Sequence, residues 1–532
     1  MKKIIFLCLL AVCSYRSYGQ MQNIVIDSVK GPNEPSIAID PKNPNHMVAG
    51  SNTYNYYIST DGGYHWHNDT LASSLGVFGD PVIVADTTGA FCYFHLANNP
   101  LLHTWPMWAD RIVCQRSDDI TSTSVSWTDG GYTGQVDSPS IADKPGVAID
   151  RQSNTIYVTW TKFDQYGTSN PNDSSSIYFS KSQDRGDTWS APVRINEIAG
   201  DCTDDDPTVE GAVPCVGPHG EIYVGWASND ELMFDRSYDG GITWLDHDIH
   251  VTNVPGGWNY MVPGLNRCNG LPFTACDISN SPYNGNIYIN WTDQRNGATN
   301  TDVWICKSSD NGDTWGLPIK VNDDTGSRQQ FFSSMAVDPA TGFIYVVFYD
   351  RRNYAATSNF TDVYLAVSKD GAATFQNYKI SQAPFNPTSS KFFGDYTFIS
   401  AFNSVVRPIW GSLTGSGSAA HQKILTAIID STITGVSVKN INPTQNNFLV
   451  YPNPFKEHTT LSYELPSAGR VSVFITDIAG RKIADLENDK WMQEGTHNIP
   501  LKATDYNLTP GLYFVNLRSG EQSQTLKLVV RK

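Results

Sequence analysis

The sequence predicts an all-β fold built from one repeated sheet, and three observations lead to that prediction. An octapeptide with the pattern S-x-D-x-G-x-T-W recurs along the chain, and an apolar phrase such as KPGVAID at 144–150 precedes each copy. Aromatic residues and glycine are abundant, while only 17% of the residues are charged. Such a composition is typical of many short strands joined by tight turns. At 532 residues the chain is long enough for more than one domain.

The octapeptide is predicted to be the turn of a β-hairpin. It is written STDGGYHW at 59–66, SQDRGDTW at 182–189, SYDGGITW at 237–244, SSDNGDTW at 308–315 and SKDGAATF at 368–375, with a degraded copy at 116–127. Its aspartate can accept hydrogen bonds from nearby backbone N–H groups, its glycine supplies positive φ, and its tryptophan begins the next strand. A structural role is therefore expected for the box aspartates Asp61, Asp119, Asp184, Asp239, Asp310 and Asp370.

Seven opening phrases and six boxes predict a closed ring of sheets. The phrases are EPSIAID, DPVIVAD, KPGVAID, DPTVEGAV, LPFTACDIS, SSMAVDP and GDYTFISAF, and the last of them, at 394–402, has no box after it. If each box joins the third and fourth strands of a four-stranded sheet, the seventh unit lacks a fourth strand, which QNIVIDSV at 22–29 can supply. Closure removes exposed sheet edges, as in β-propellers. We therefore predict a β-propeller over residues 20–430, with seven blades favoured and six as the alternative.

The boxed repeats resemble the Asp-box, or BNR-repeat, propellers of the sialidase-like superfamily. The resemblance implies the fold and says less about activity, because sialidases, other glycosidases, receptors and assembly factors all carry the box. Sialidases of this group use an arginine triad, a Tyr–Glu nucleophile pair, an aspartate acid/base and an Arg-Ile-Pro signature. This chain has no Arg-Ile-Pro, and its nearest string is RIN at 194–196. Whether the chain is an enzyme, and if so a glycoside hydrolase of sialidase-like fold, is left open by the sequence.

The net charge limits the class of partner, and the first residues indicate the cellular compartment. The formal net charge of -16 argues against a nucleic-acid partner and favours glycans, proteins or metal ions. Residues 1–19 combine a basic start, MKK, with a short apolar core and small residues ahead of Gln20, which predicts a cleaved secretory signal peptide. No later run reaches the roughly 18 apolar residues of a transmembrane helix.

The last 86 residues show a strand and turn pattern that differs from that of the boxed repeats. After a polar linker at 431–446, the segments YPNPF, TTLSYELP, the turn DIAGRKI, PGLYFV and a basic-ended final strand predict a small Ig-like β-sandwich over 447–532. These motifs resemble the type A sorting domain of the type IX secretion system of Bacteroidetes. The resemblance implies the secretion machinery as a partner and a final location outside the cell or on the outer-membrane surface.

Strand polarity predicts that the functional face is the one opposite the boxes. Opening phrases bring the carboxylates of Glu34, Asp80, Asp143, Asp206 and Asp395 to the innermost strands there, and the ends of second strands add Asp164, Asp230, Asp293, Arg295, Asp350, Arg351 and Arg352. Carboxylates clustered near an axis repel, which raises some of their pKa values unless cations compensate. The candidate catalytic residues are Asp395, Tyr396, Asp350, Arg295 and Arg351. The candidate ligand-binding residues are Trp105, Trp108, Trp258, Tyr260, Asp80, Asp143, Asp206 and Arg352.

Aromatic loops and an acidic loop extend this hypothesis. Trp105, Trp108, Trp258 and Tyr260 lie in two insertions on the same face, where flat rings beside carboxylates suit a sugar, although the same rings could instead fill loop cores. DCTDDD at 201–206 could bind a structural calcium ion, but its spacing is not that of an EF-hand. No other cofactor is indicated.

Seven cysteines follow the predicted signal peptide. Spacing favours the pairs Cys202 with Cys215 and Cys268 with Cys276, makes Cys92 with Cys114 a weaker third pair, and leaves Cys306 unpaired. Two classes of function remain from sequence alone: a secreted propeller that processes a glycan through rim carboxylates, and a surface module that binds a glycan or a protein without turnover.

Overall fold

The computed structural model describes residues 21–97, 109–122, 125–392, 394–415, 417–429, 433, 448–465, 468–477, 481–519 and 522–531. The chain divides into two compact units, Met1–Ser437 and Val438–Lys532. Both are made of β-strands, with short 3-10 turns at Gly417–Ala419 and Ala503–Tyr506. The predicted signal peptide lies outside the described residues, as does the predicted linker apart from Ile433.

The described part of the first unit contains seven four-stranded antiparallel sheets, called blades 1 to 7. Blade 1 is Ser36–Ile39, Met47–Ser51, Asn55–Ser59 and His67–Thr70; blade 2 is Gly79–Ala85, Phe91–Ala97, Arg111–Ser117 and Gly131–Thr133; blade 3 is Ile141–Ile149, Ile156–Phe163, Ser175–Ser182 and Val193–Arg194; blade 4 is Val209–Val216, Ile222–Ser228, Glu231–Ser237 and Ile249–Asn253; blade 5 is Phe273–Cys276, Ile287–Asp293, Asp302–Ser308 and Ile319–Lys320; blade 6 is Gln330–Val337, Ile344–Asp350, Asp362–Ser368 and Gln376–Lys379; blade 7 is Phe398–Phe402, Val405–Thr414, His421–Ile428 and Gln22–Asp27. A two-stranded hairpin, Asn259–Tyr260 with Cys268–Asn269, lies between blades 4 and 5.

The sheets form a closed ring. The first strand of each blade contacts the first strand of the next, and the first strand of blade 7 contacts that of blade 1. The ring closes through Gln22–Asp27, which pairs with the third strand of blade 7, Gln22 lying opposite Ile428 and Val25 opposite Leu425. The predicted closing strand is therefore confirmed, and the all-β propeller is the fold of this unit.

The predicted boxes are turns between third and fourth strands. In the copy at 237–244, Asp239 Oδ1 accepts hydrogen bonds from the Ser237 hydroxyl at 2.8 Å, from Ile242 N at 3.0 Å and from Thr243 N at 2.9 Å, while Oδ2 accepts the Thr243 hydroxyl at 2.6 Å. Asp61, Asp184, Asp310 and Asp370 each accept a bond from the serine two residues earlier and from the backbone N–H four residues later. In the degraded copy, Asp119 instead accepts both bonds of Thr121. The hydrogen bonds of these aspartates stabilise the turns, as the structural role predicted from the sequence requires.

The cysteine pairs expected from spacing are wrong. All seven described cysteines are buried free thiols. Cys202 packs in the core of blades 2 and 3, whereas Cys215 packs in the core of blades 4 and 5. Cys268 and Cys276 likewise belong to different clusters. The members of these two pairs are separated because successive strands carry them into different layers between the blades. Cys92 and Cys114, the weaker third pair, share one core, where both are free thiols.

The second unit forms the predicted sandwich. One sheet contains Leu449–Tyr451, His458–Leu465 and Gly495–Lys502, and the other contains Lys482–Met492, Gly469–Thr476, Gly511–Ser519 and Gln522–Val530. Alternate residues of both sheets, among them Leu461, Tyr463, Val473 and Val515, share one buried core. The alternation of apolar and polar residues in the sequence therefore predicts which side chains of this unit face its core.

Candidate functional site

The same backbone conformation brings three charged side chains to the ring axis. Glu34, Asp80 and Lys144 each precede the proline of their opening phrase and take positive φ values of 50°, 51° and 48°. The pairing register of the first strand shifts directly beside Asp80 and Lys144. Positive φ is uncommon for residues other than glycine and bulges re-aim side chains, so three successive blades hold a strained turn that brings a charge to the same place.

Asp395, at the start of blade 7, is the centre of an ion cluster. It is 3% exposed and receives two hydrogen bonds from the Arg267 guanidinium, one of them from Nε to Oδ1 at 2.7 Å. Lys144 Nζ lies 3.2 Å from Asp395 Oδ2 and 3.6 Å from Asp80 Oδ2. The backbone N–H of Asp395 donates to Glu34 at 3.2 Å. Lys144 therefore bridges two carboxylates, and Asp395 is paired twice.

The acids of this cluster have pKa values moved in opposite directions. Burial would raise the pKa of Asp395, but Lys144 and Arg267 outweigh it and hold that pKa below its usual range. Burial, reinforced by Asp143 and Asp395, raises the pKa of Asp80 to about 6. Burial and the charges of Asp80 and Asp395 also raise the pKa of Glu34 well above its ordinary value. A carboxylate that stays ionised and two acids that hold their protons to a higher pH than usual thus share one site.

A second group of acids lies beside the first. Glu210 is 1% exposed, and the neighbouring Asp204 accepts the Tyr166 hydroxyl. Burial raises the pKa of both Glu210 and Asp204, and the charge of Asp204 raises that of Glu210 further. The Oε2 atom of Glu210 has no hydrogen-bond partner among the described residues.

Two adjoining cavities open onto these groups. One, of about 240 Å³, is lined by Asp80, Lys144, Asp395, Tyr396 and apolar residues of the inner strands. The other, of about 160 Å³, is lined by Asp204, Glu210, Trp258, Arg267 and Asp395 among others. They share Lys144, Asn269, Leu271 and Asp395. The sequence-predicted residues Asp80, Asp395 and Tyr396 are thus together at the axis, with Asp143 adjacent, its carboxylate accepting Lys144 N at 2.8 Å.

Other predicted residues are held in ion pairs at the ends of the second strands. Arg352 bonds to Asp350 at 2.7 Å, and Arg295 bonds to Asp293 through Nη2 at 2.6 Å while its guanidinium lies over the Trp304 ring. Arg351 is fully buried and donates to Thr361 and to the backbone carbonyl of Pro263. None of these residues lines either cavity. These contacts indicate that the three arginines stabilise the loops in which they lie.

The aromatic residues that the structure describes fill loop cores. Trp258 is 4% exposed and its indole N–H donates to the carbonyls of Asp206 and Thr208, at 3.1 and 3.3 Å. Tyr260 is 5% exposed and its hydroxyl bonds to Thr292. The expectation that these two rings are exposed is therefore wrong, and the loop-core alternative describes them. Trp105 and Trp108 lie outside the described residues.

Hydrogen bonds from nearby residues occupy carboxylates of the acidic loop at 201–206. Asp201 accepts the hydroxyls of Thr203 and Thr208, and Asp206 accepts Asn259 N at 2.8 Å. Across the ranges that the structure describes, no group of three or more His, Cys, Asp or Glu side chains is placed to hold a metal ion. A calcium ion at this loop stays a prediction.

Sequence reasoning missed Lys144, Tyr166, Asp204, Glu210 and Arg267. Lys144 had a signal, because it stands before proline in KPGVAID where Glu34 and Asp80 stand in EPSIAID and DPVIVAD. A search limited to carboxylates passed over it. Arg267 lies in the insertion between blades 4 and 5, which has no counterpart in the other repeats, so no spacing indicates it. In the acidic loop, the hypothesis from sequence names Asp206 instead of Asp204.

Comparison with known proteins identifies the second unit. Residues 449–531 match the model of the secretion system C-terminal sorting domain. The resemblance to that family stated from YPNPF and its companion motifs is confirmed, and it implies export to the cell surface or the medium. No curated protein matches the chain in sequence. Within the described residues, no helix has the length and apolar character needed to cross a membrane.

Several solved structures are similar to about three quarters of the chain. An ulvan lyase described as a new family of polysaccharide lyase has 13% identity and a TM-score of 0.46, over 76% of this chain and 95% of that one. The NanB sialidase of Streptococcus pneumoniae has 9% identity and a TM-score of 0.44, over 73% and 84%. A protein of unknown function from Dyadobacter fermentans has 12% identity and a TM-score of 0.41, over 77% and 99%.

Proposed function

We propose that this chain is a propeller exported by the type IX secretion system that binds a glycan in the axial cavities opposite the Asp boxes and processes it by acid–base chemistry. The observation that carries the proposal is the contrast between Asp395 and Asp80 on either side of Lys144. One carboxyl group is held ionised by two cations, and the other, with a pKa of about 6, keeps a proton in weakly acidic surroundings. Titratable groups whose pKa values are pushed apart in a cavity are typical of acid–base sites.

The surroundings suit a ligand with a carbon ring and many hydroxyl groups. Val82, Val147, Pro214, Phe273 and other apolar side chains of the inner strands line the larger cavity together with the polar groups of Asp80, Lys144, Asp395 and Tyr396. Protonated carboxyl groups both donate and accept hydrogen bonds, and Asn269 lies beside them, its amide donating to the Asp395 carbonyl at 3.1 Å. Small-molecule sites commonly combine apolar walls with a few convergent polar groups.

In this proposal Asp80 is the proton donor and Asp395 stabilises positive charge that develops on the sugar. Tyr396 lines the same cavity, and burial raises its pKa well above the usual value, so it acts as a neutral hydroxyl. Proton transfer to a leaving oxygen requires a group whose pKa is close to the working pH. Asp80 meets that condition, whereas Asp395 is held ionised.

A binding module without turnover is the second candidate, and one observation favours it. Lys144 and Arg267 both direct their charge at Asp395, so the cluster has the form of a buried ion-pair network that could serve only to shape the cavity. Ligand binding would then survive changes that abolish turnover. Product analysis separates the two candidates.

The test uses the mature full-length chain on a glycan array, followed by product analysis of each glycan bound. Asp80→Asn should keep binding and lose turnover, because asparagine keeps the shape and the neutral state but has no proton to transfer. Asp310→Asn, in a box on the opposite face, is the matched control and should change neither. Binding without product in the unchanged protein selects the second candidate, and absence of any bound glycan would contradict both.

A further inference from the structure

Acidic side chains outnumber basic ones among the described residues that line the axial cavities. Their lining residues include four carboxyl groups, those of Asp80, Asp204, Glu210 and Asp395, and two cations, Lys144 and Arg267. Both cations are engaged with Asp395, Lys144 at 3.2 Å and Arg267 through two hydrogen bonds. A negatively charged sugar entering here would meet more carboxyl groups than cations, and both cations already contact Asp395, which opposes its binding.

One atom of the cluster points to what the cavities do accept. Glu210 Oε2 is buried and has no hydrogen-bond partner in the described chain, although Glu210 lines the smaller cavity. A buried acceptor without a partner costs about 1 to 3 kcal/mol, so it is retained only where something supplies a donor. Asp204 and Asp395 lie on the same cavity. A positively charged group with several N–H donors would supply the donor that Glu210 Oε2 lacks and would be attracted to the other two carboxyl groups.

We infer that the smaller cavity binds the ammonium group of a basic amino sugar, with Glu210, Asp204 and Asp395 as its acceptors. This inference rests on the proposed glycan-binding function and narrows it to glycans that contain free, non-acetylated hexosamine. An ammonium group donates three hydrogen bonds, and such bonds to a carboxylate are about twice as strong as neutral ones. Burial raises the pKa of Glu210 and Asp204, and the arriving ammonium group should release protons from them because its charge favours the ionised state of both acids.

The first experiment measures the affinity of the full mature chain for four probes by isothermal titration calorimetry. These are the tetramer of glucosamine, the tetramer of N-acetylglucosamine, N-acetylneuraminic acid and glucuronic acid. The glucosamine tetramer should bind about tenfold to a hundredfold more tightly than its acetylated counterpart, as expected for one or two hydrogen bonds to charged groups. Repeating the titration in two buffers of different ionisation enthalpy should show proton release.

Variants then test the assigned acceptors. Glu210→Gln should abolish the preference for glucosamine over N-acetylglucosamine and the proton release, and Asp204→Asn should reduce both. Asp310→Asn is the matched control, because Asp310 belongs to a box turn on the opposite face and does not line the cavity, so the preference should survive. Melting curves of each variant confirm that the protein measured is folded.

The outcomes separate this inference from the proposed function. If the acetylated or the acidic sugars bind as well as the glucosamine tetramer, or if Glu210→Gln keeps the preference, the amino-sugar inference is wrong while glycan binding stands. If none of the four probes binds and the array also shows no glycan bound, the proposed function fails and the inference fails with it.

Discussion

Replacing Asp80 by asparagine should stabilise the propeller at neutral pH. The pKa of Asp80 is about 6 in the folded chain, because the residue is buried and lies near Asp143 and Asp395, whereas its ordinary value is 3.8. A carboxyl group whose pKa is raised on folding stabilises the fold through its bound proton. That contribution is fully present below the unfolded pKa and is lost as the pH rises through the folded pKa.

The size of the effect follows from the same two pKa values. They differ by about 2, and one pKa unit corresponds to about 1.4 kcal/mol, so ionisation of Asp80 costs about 3 kcal/mol of stability at pH 7. Asparagine imitates the protonated carboxyl group at every pH. The free energy of unfolding of Asp80→Asn should therefore equal that of the unchanged protein near pH 4 and exceed it by up to about 3 kcal/mol near pH 7.

Urea unfolding at pH values from 4 to 7 measures this difference. The comparison cancels the other titrating groups, which both proteins share. Asp61→Asn provides a control of opposite sign: hydrogen bonds from His65 and Ser59 outweigh burial and lower the pKa of Asp61 to about 2. Its stabilisation is present above the unfolded pKa and is lost only as the pH falls through about 2, so Asp61→Asn should be less stable than the parent at pH 7. A difference for Asp80→Asn that does not change with pH, or one that grows toward acid, would refute the reasoning.

Four further predictions follow from the same structure. Deleting residues 21–28 removes the strand that pairs with His421–Ile428, so the melting temperature should fall sharply, and an unchanged melting curve would contradict ring closure by this strand. Asp239→Ala removes four hydrogen bonds of a box turn and should lower the melting temperature without changing ligand affinity per folded molecule. Trp258→Ala should also lower the melting temperature, because its ring is buried, and an unchanged melting curve would contradict its place in the loop core. Deleting residues 447–532 should leave the propeller in the periplasm of a host with the type IX machinery, and normal surface levels on cell fractionation would count against the export assignment.

The fold could be predicted because its signals are local and repeated. Each box contains its own turn: serine, aspartate, glycine and a backbone N–H bond within eight residues, so one copy predicts the others. The closing strand could be inferred because one unit lacked a box and one strand preceded the first unit. Alternation at period two similarly predicted both sheets of the second unit.

The site could be predicted only where it follows the repeat. Glu34, Asp80 and Lys144 occupy one position of three successive phrases, and alignment of those phrases finds them. Arg267 reaches Asp395 from an insertion 128 residues away in sequence, a contact that no spacing encodes. The second-strand motifs WTDQR and FYDRR misled because Arg295 and Arg352 each bond to the aspartate two residues before them.

The two classes of acid in this propeller indicate opposite purposes. The box aspartates have lowered pKa values and bond to the turn that contains them, so at neutral pH they stabilise the fold. Glu34, Asp80 and Glu210 have raised pKa values, and two of the three are held at positive φ, so the fold would be more stable at neutral pH with amides in their place. Residues that lower stability and sit in strained backbone cluster at functional sites. The axial cluster, and not the more conspicuous boxes, is therefore where the chemistry of this chain should be sought.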